Sequence, residues 1–274
     1  MAETGFRKQN MRKILLGHGR VLAPVSVLLL AVLLRLWGLG RESLWLDEVT
    51  SLKLARMSIP DLVAWTAADI HPPLYYLLLH FWRLLGEGEA TLRLLSVLGG
   101  VLGVGLTYLL ARRLFGEWAA FAAGLLLAAS PLHIWYSQEL RGYAWLTAFS
   151  VLALFGLARL VVAGPSASCE NRHEPFEGEW KAAPIAIGQV DGLAWLAYIL
   201  GAALALWVHY YAVFVILAAN TVAILLVAQR RRPPVFLIPW ALAQLAVVAL
   251  FFPWLPTFLK PILTGGKGWV AELG

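Results

Sequence analysis

The chain has 274 residues, of which 60% are hydrophobic, and its formal net charge is +6. Soluble domains are roughly 45–50% apolar, so the composition excludes an ordinary soluble protein and indicates an integral membrane protein. The basic residues cluster at the ends of apolar segments, which is typical of membrane topology and argues against a nucleic-acid partner. The single cysteine, Cys169, excludes an internal disulfide.

The first predicted element is a cytoplasmic N-terminal segment, residues 1–20, which is basic and precedes an apolar run. That run has about 20 residues, enough for a helix to cross about 30 Å of hydrocarbon. It has no small-x-small cleavage site, so we interpret it as a retained span. With the later runs it predicts an all-α, polytopic membrane helix bundle of about seven transmembrane helices. The predicted spans are 21–39, 92–111, 117–134, 143–163, 191–208, 211–228 and 235–255.

These spans form a predicted transmembrane module over residues 21–260, followed by an extracytoplasmic tail over 261–274. Residues 74–86 are apolar but too short to cross the membrane, so we expect an interfacial helix within a long extracytoplasmic loop, residues 40–91. The polar segment 164–190 predicts a flexible cytoplasmic linker. A cytoplasmic N-terminus satisfies the positive-inside rule at each short loop, which predicts a multi-pass protein of the plasma (inner) membrane.

The first extracytoplasmic loop opens with an adjacent acid pair, Asp47 and Glu48, in the stretch ESLWLDEVTSLKLA. One interpretation is a helix N-cap, because Asp readily accepts backbone N–H bonds there. The other is catalytic, because a carboxylate at the membrane surface could take a proton from an acceptor hydroxyl or bind a cation. The pair alone is a weak signal.

Two more candidates follow in the same loop and at the mouth of the second span. His71 comes after Asp69 and before two prolines, on an extended turn that either contacts an acceptor or phosphate or merely separates two helices. Arg93 lies at the outer mouth of the second span, where it should face a polar cavity or reach into the headgroup layer.

The second outer segment, SPLHIWYSQELRGYAW, concentrates polar and aromatic side chains at a span boundary: Tyr136, Glu139, Arg141 and Tyr143. Arg141 offers a planar fork suited to a phosphate, and Glu139 offers a second carboxylate. Simple pairing with neighbours is the alternative. The third outer segment adds further candidate contacts, or an ordinary interfacial aromatic belt, at His209 and Tyr210.

Five motifs occur in order: WLDE, HPPLYYLLLHFW, RLLSVLGG, LARRLFG and SPLHIWYSQELRGYAW. Together they resemble the polyprenyl-phosphate-dependent glycosyltransferases of the GT-C fold, of the glycosyltransferase family 39 type. That group is related to protein O-mannosyltransferases and to the aminoarabinose transferases of lipid A. The resemblance covers about residues 21–260 and implies a bundle with long outer loops.

The resemblance implies an enzyme that moves a hexosyl or pentosyl group from a polyprenyl-phosphate donor to an extracytoplasmic glycan, lipid or protein. It implies that Asp47 is the leading catalytic carboxylate, supported by Glu48, and that Arg93 and Arg141 lie near the donor phosphate. No cofactor is certain, and a divalent cation, if one is used, would be expected on Asp47 and Glu139.

The chain departs from the family's pattern in two ways. Tyr75 and Tyr76 follow HPPL where mannosyltransferases have Gly-Lys, so the acceptor site need not be the same, and Tyr75 is a candidate substrate contact. Family members also carry several more spans, so we expect a truncated product or a second chain that supplies the missing part. The alternatives to an enzyme are therefore a non-catalytic subunit and a transporter or flippase of lipid-linked sugars.

Overall fold

The computed structural model describes residues 21–69, 71–161 and 191–263. Within these ranges all regular structure is helical, apart from turns and bends. The helices are α1 (Val21–Leu36), α2 (Leu46–Arg56), α3 (Ile59–Ala68), α4 (Leu74–Trp82), α5 (Glu89–Phe115), α6 (Glu117–Ala128), α7 (Pro131–Gln138), α8 (Tyr143–Val161), α9 (Gly192–Val208), α10 (Ala212–Ala228), α11 (Leu237–Phe251) and α12 (Leu255–Leu263). Short 3-10 turns cover Arg83–Leu85, Pro234–Phe236 and Phe252–Trp254. The predicted N-terminal segment, the linker 164–190 and residues 264–274 of the predicted tail lie outside the described residues.

The predicted all-α membrane bundle is confirmed, and each predicted apolar run contains helix. By length and composition, three helical stretches of the described chain could cross a membrane, at Glu89–Phe115, Tyr143–Val161 and Pro234–Lys260. The pair α6 and α7, bent by 57°, could form a fourth. Helices α1, α9 and α10 are apolar but shorter over the described residues, so the total of seven spans stays a prediction.

The long helices alternate in direction, so the three segments predicted to lie outside meet at one end of the bundle. The opposite end carries ion pairs between Arg112 and Glu117, 2.9 Å apart, and between Arg159 and Asp191, 2.8 Å apart. These ion pairs and the candidate-site residues therefore lie at opposite ends of the bundle. The side of the membrane that each end faces stays a prediction.

Helices α8 and α9 form the closest helix pair, and two glycines explain why. A Cβ atom on Gly201 would lie 2.5 Å from the backbone nitrogen of Ala153, and one on Gly156 would lie 2.5 Å from the backbone nitrogen of Tyr198. Small residues let membrane helices approach closely, which increases van der Waals contact where lipid removes the usual hydrophobic driving force. This pair fixes the separation between the pocket residues that precede α8 and those that follow α9.

The break between α6 and α7 is held by a buried arginine of α1. Pro131 has no N–H to continue the helix ladder, and α7 restarts at a sharp angle. Arg35, fully buried, donates to the carbonyl oxygens of Ala128 and Leu127 at 3.2 and 3.3 Å and contacts Nδ1 of His133 at 2.6 Å. Arg35 thus bonds to carbonyl groups at the end of α6 and to a side chain of α7, so it links the end of α1 to both sides of the break.

The loop 40–91 folds into its own small core of α2, α3 and α4. Leu54, Leu62, Leu79 and Tyr75 are buried together there. The predicted helix within residues 74–86 is present as α4 and the following 3-10 turn. Its position at the membrane interface stays a prediction.

Candidate functional site

An open pocket of about 240 Å³, including the space at its mouth, lies where the three predicted outer segments meet. Its walls come from the turn before α4, the turn between α7 and α8, and the end of α9. The lining residues are His71, Tyr75, Tyr76, Arg141, Gly142, Tyr143, Val208 and His209. Five of these residues were predicted as site residues from the sequence, so the fold brings five of the eleven candidates together in the pocket lining.

Arg141 is the central cation of the pocket. Its side chain is 12% exposed, and Nη1 lies 3.8 Å from Oδ2 of Asp47. Nη2 lies 3.4 Å from Nε2 of His71, and the guanidinium carbon is 5.8 Å from the centre of the Tyr143 ring. Burial opposes the charge of Arg141, but its hydrogen bond with Tyr143 and the nearby carboxylate of Asp47 outweigh this and raise its pKa. Arg141 therefore keeps its positive charge in a largely buried position.

The acid pair divides between the surface and the interior. Helix α2 begins at Leu46 with Trp45 at the N-cap position, so Asp47 is in the first turn rather than at the cap. The Asp47 side chain is 44% exposed and faces Arg141. Glu48 is fully buried, and its carboxylate accepts the Trp45 backbone N–H at 3.3 Å. Of the acid pair, Glu48 thus makes the contact that caps α2, and Asp47 faces Arg141, which lines the pocket.

Glu48 forms a buried ion pair with Arg93 of α5. The two guanidinium–carboxylate bonds measure 2.9 Å from Nε and 2.6 Å from Nη2. The remaining N–H groups of Arg93 donate to the carbonyl oxygens of Leu39, Glu42 and Ser43. An arginine has five N–H donors, and all five are engaged. Glu48 and Arg93 therefore tie the start of the loop 40–91 to α5.

Two histidines face each other across the pocket, with ring centres 5.4 Å apart and an edge-to-face arrangement. His71 Nδ1 lies 3.2 Å from Oδ2 of Asp69. His209 Nδ1 accepts the backbone N–H of Tyr211 at 3.2 Å. Burial, helped by neighbouring His71 and Arg141, lowers the pKa of His209 to about 4, so His209 is neutral near pH 7.

Three further predicted residues, Tyr136, Tyr75 and Glu139, each contact a neighbouring side chain. Tyr136 packs on Tyr143 with ring centres 4.7 Å apart. Tyr75 is buried and shares a hydrogen bond of 2.9 Å with Ser96. Glu139 is partly buried and accepts the indole N–H of Trp135.

Glu139 and Tyr210 differ in their surroundings. Burial raises the pKa of Glu139 above its ordinary value, despite the bond from the Trp135 indole. Tyr210 accepts the indole N–H of Trp254 at 2.9 Å and packs on Phe258, so it faces α12 rather than the pocket.

Among the described residues there is no group of three or more His, Cys, Asp or Glu side chains that could hold a metal. A cation on Asp47 and Glu139 stays a prediction.

Sequence reasoning missed two residues that shape this end of the bundle. Arg35 is a single cation at the end of an apolar run, a pattern that also fits a side chain reaching towards the headgroups. Tyr76 adjoins Tyr75 and lines the pocket. Burial raises the pKa of Tyr76 to about 12, so Tyr76 stays neutral and can act as a hydrogen-bond donor.

The fold and the pocket define a polytopic helix bundle with a charged, aromatic site at one end. Residues 70–166, about a third of the chain, match the family described as dolichyl-phosphate-mannose-protein mannosyltransferase. The resemblance inferred from the motifs is thus confirmed over this segment, which contains His71, Arg93 and Arg141. Asp47 and His209 lie outside it. No curated protein and no solved structure matches the chain.

Proposed function

We propose that this protein is a membrane glycosyltransferase of the GT-C type, which transfers a sugar from a polyprenyl-phosphate donor to an acceptor hydroxyl. The observation that carries the proposal is the contact between Asp47 and Arg141. A partly exposed carboxylate lies 3.8 Å from a buried guanidinium at the edge of a pocket. The family match over residues 70–166 supports both the reaction class and a lipid-linked donor.

The two residues would divide the reaction between them. Arg141 would bind the donor phosphate through its planar fork, and Asp47 would take the proton of the acceptor hydroxyl. The acceptor oxygen then bonds to the anomeric carbon, and the carbon–oxygen bond to the phosphate breaks. Its electron pair stays on the phosphate oxygen, where the fixed charge of Arg141 stabilises it.

Glu48 and Arg93 would act on the site indirectly. Arg141 rather than Arg93 would bind the donor phosphate, because every N–H of Arg93 already donates a hydrogen bond. Contact between Arg93 and a bound donor stays a prediction. Tyr143 and His209 line the pocket and would contact the sugar or the phosphate.

The direct test compares two aspartates of the loop 40–91. Asp47→Asn in membranes supplied with radiolabelled undecaprenyl-phosphate mannose and other sugar forms should lose transfer by about 100-fold or more. Asp61→Asn is the matched control, because Asp61 is exposed at the first turn of α3. Full transfer by Asp47→Asn would remove Asp47 from the mechanism.

A cellular test addresses the donor and the alternatives. Mass spectrometry would compare lipid-linked sugars and envelope glycans with and without the gene. Accumulation of one polyprenyl-phosphate sugar on the outer face would identify the donor and exclude a transporter or flippase, whose loss traps the lipid on the inner face. Transfer that appears only when a second chain is added would instead indicate a subunit.

A further inference from the structure

We propose that Asp69 is a positioning residue that holds His71 in one tautomer, and that His71 exchanges a proton with the phosphate of the lipid-linked donor. This inference rests on the proposed function. It makes His71 a second proton-carrying group of the site, in addition to Asp47. It assigns a role to Asp69, which the catalytic proposal above does not use.

The contacts of His71 determine its tautomer. Nε2 faces Nη2 of Arg141 at 3.4 Å, and a guanidinium can only donate hydrogen bonds. Nε2 therefore presents its lone pair, and in the neutral ring the hydrogen is on Nδ1. Nδ1 lies 3.2 Å from Oδ2 of Asp69, which accepts that hydrogen. Hydrogen bonding at one ring nitrogen sets the state of the other, so Asp69 aims the Nε2 lone pair of His71 towards Arg141 and the pocket.

His71 is better suited than His209 to carry a proton. His209 uses the Nδ1 lone pair to accept a backbone N–H, so Nδ1 of His209 carries no hydrogen that a carboxylate could accept. His71 has a carboxylate on the side away from the pocket, which stabilises an imidazolium. The two rings are close enough that only one of them is expected to be charged at a time.

The groups that face His71 come from several elements. Asp69 follows α3, Tyr75 and Tyr76 belong to α4, and Arg141 precedes α8. The remaining facing groups are His209, which follows α9, and Tyr143 of α8, with Asp47 on the far side of Arg141. While the pocket is empty, the guanidinium of Arg141 lies against Nε2 of His71. A bound phosphate attracts the guanidinium and leaves the Nε2 lone pair free to take a proton.

The proton on Nε2 of His71 would then offset part of the negative charge on the departing phosphate. When the bond to the sugar breaks, the diester with one negative charge becomes a monoester with two. A phosphate monoester takes up its second proton near pH 6, roughly, so the new phosphate oxygen is a better proton acceptor than the diester and can take, or share, Nε2–H of His71. The acceptor's proton goes to Asp47, which gives it to water when the product leaves, and His71 takes a new proton from water when the next donor binds.

Nitrogen NMR of ¹⁵N-histidine-labelled protein in lipid nanodiscs tests the tautomer without reference to activity. Wild type should show His71 protonated at Nδ1, with its signals identified by their loss in His71→Gln. Asp69→Asn should move His71 towards the Nε2–H tautomer, because the new amide can donate to Nδ1. Asp61→Asn should leave the signals unchanged. A wild-type His71 protonated only at Nε2, or an unchanged spectrum in Asp69→Asn, would overturn the assignment to Asp69.

Addition of undecaprenyl phosphate to the same samples tests the exchange with phosphate. Wild type should bind the lipid with uptake of one proton, held on Nε2 of His71 or on the lipid phosphate beside it and followed by nitrogen and phosphorus NMR, and Asp69→Asn should lose that uptake. Binding of the lipid without proton uptake at either group would overturn the role of His71. The result does not depend on sugar transfer, so it distinguishes failure of this inference from failure of the proposed function.

Kinetics separate positioning from a merely structural role. With a donor that wild type uses, Asp69→Asn should lower kcat about tenfold or more, change the KM for donor less than twofold, and move the acid limb of the kcat pH profile. Asp69→Glu should restore part of the rate. His80→Gln is the histidine control, because His80 bonds to the carbonyl of Ala55 outside the pocket. An unchanged pH profile in Asp69→Asn would contradict the proposal.

Discussion

Replacement of Arg93 by methionine tests the buried ion pair at the base of the site. The side chains of Arg93 and Glu48 are 8% and 1% exposed, so the substitution leaves a buried carboxylate without its cation. It also leaves the carbonyl groups of Leu39, Glu42 and Ser43 without the donors that Arg93 supplies. Loss of one partner of a buried pair costs about 3–5 kcal/mol.

The assay is thermal unfolding in lipid nanodiscs, followed by tryptophan fluorescence at one heating rate. For a protein of this size each kcal/mol shifts the melting temperature by roughly 2–4 °C, so Arg93→Met should melt on the order of 10 °C lower than wild type. Arg56→Met is the control, since Arg56 forms an exposed pair with Glu87. Exposed pairs contribute little because water screens them, so the control should melt close to wild type.

A double variant separates the cost of an unpaired charge from the value of the pair. Glu48→Met combined with Arg93→Met removes both charges, and buried pairs are often replaceable by apolar side chains at small cost. The double variant should therefore recover part of the stability that Arg93→Met loses. An Arg93→Met protein that melts within about 2 °C of wild type, a shift of under about 1 kcal/mol, would refute the assignment of a stabilising role to this pair.

Three further substitutions probe the bundle and its pH dependence. Gly201→Leu should lower the melting temperature strongly, because even a Cβ would lie 2.5 Å from the Ala153 nitrogen, whereas Gly192→Ala meets nothing within 4 Å and should not. Arg35→Met should raise hydrogen exchange at the break between α6 and α7, and unchanged exchange there would contradict its bracing role. The lowered pKa of His209, about 4, lies below the roughly 6.5 of an unfolded histidine, so the unfolded chain takes up that proton first. Stability should be full above about pH 6.5 and fall towards pH 4, and a melting series on His209→Gln should show a shallower fall.

The helices were predictable because the signal is local. Each apolar run is bounded by charges, Pro or Gly, and a helix is the way for a single segment to satisfy its own backbone in lipid. The gathering of His71, Arg141 and His209 also followed from the sequence, because alternating spans bring every second loop to the same end. The break at Pro131 was not predicted, since the run 117–134 continues across it with no loss of apolar character.

The separate environments of Asp47 and Glu48 were not predictable in the same way. Adjacent residues of a helix point about 100° apart, so one of the two had to face away from the other. Which of them is buried depends on how α2 packs against α4 and on where Arg93 lies along α5. That is a tertiary contact across 45 residues, and no local pattern specifies it.

The buried pair also sets the distance on which the proposed chemistry depends. Glu48 accepts the backbone N–H of Leu140 at 2.9 Å, and Leu140 directly precedes Arg141. Asp47 directly precedes Glu48. The Glu48 carboxylate therefore holds both residues of the Asp47–Arg141 contact through their chain neighbours, Glu48 itself on one side and Leu140 on the other. Since Arg93 fixes that carboxylate from α5, a single ion pair holds the proposed proton acceptor and the proposed phosphate-binding cation in register. In the proposed mechanism, the acid pair thus combines a reacting group, Asp47, with the residue that positions it, Glu48.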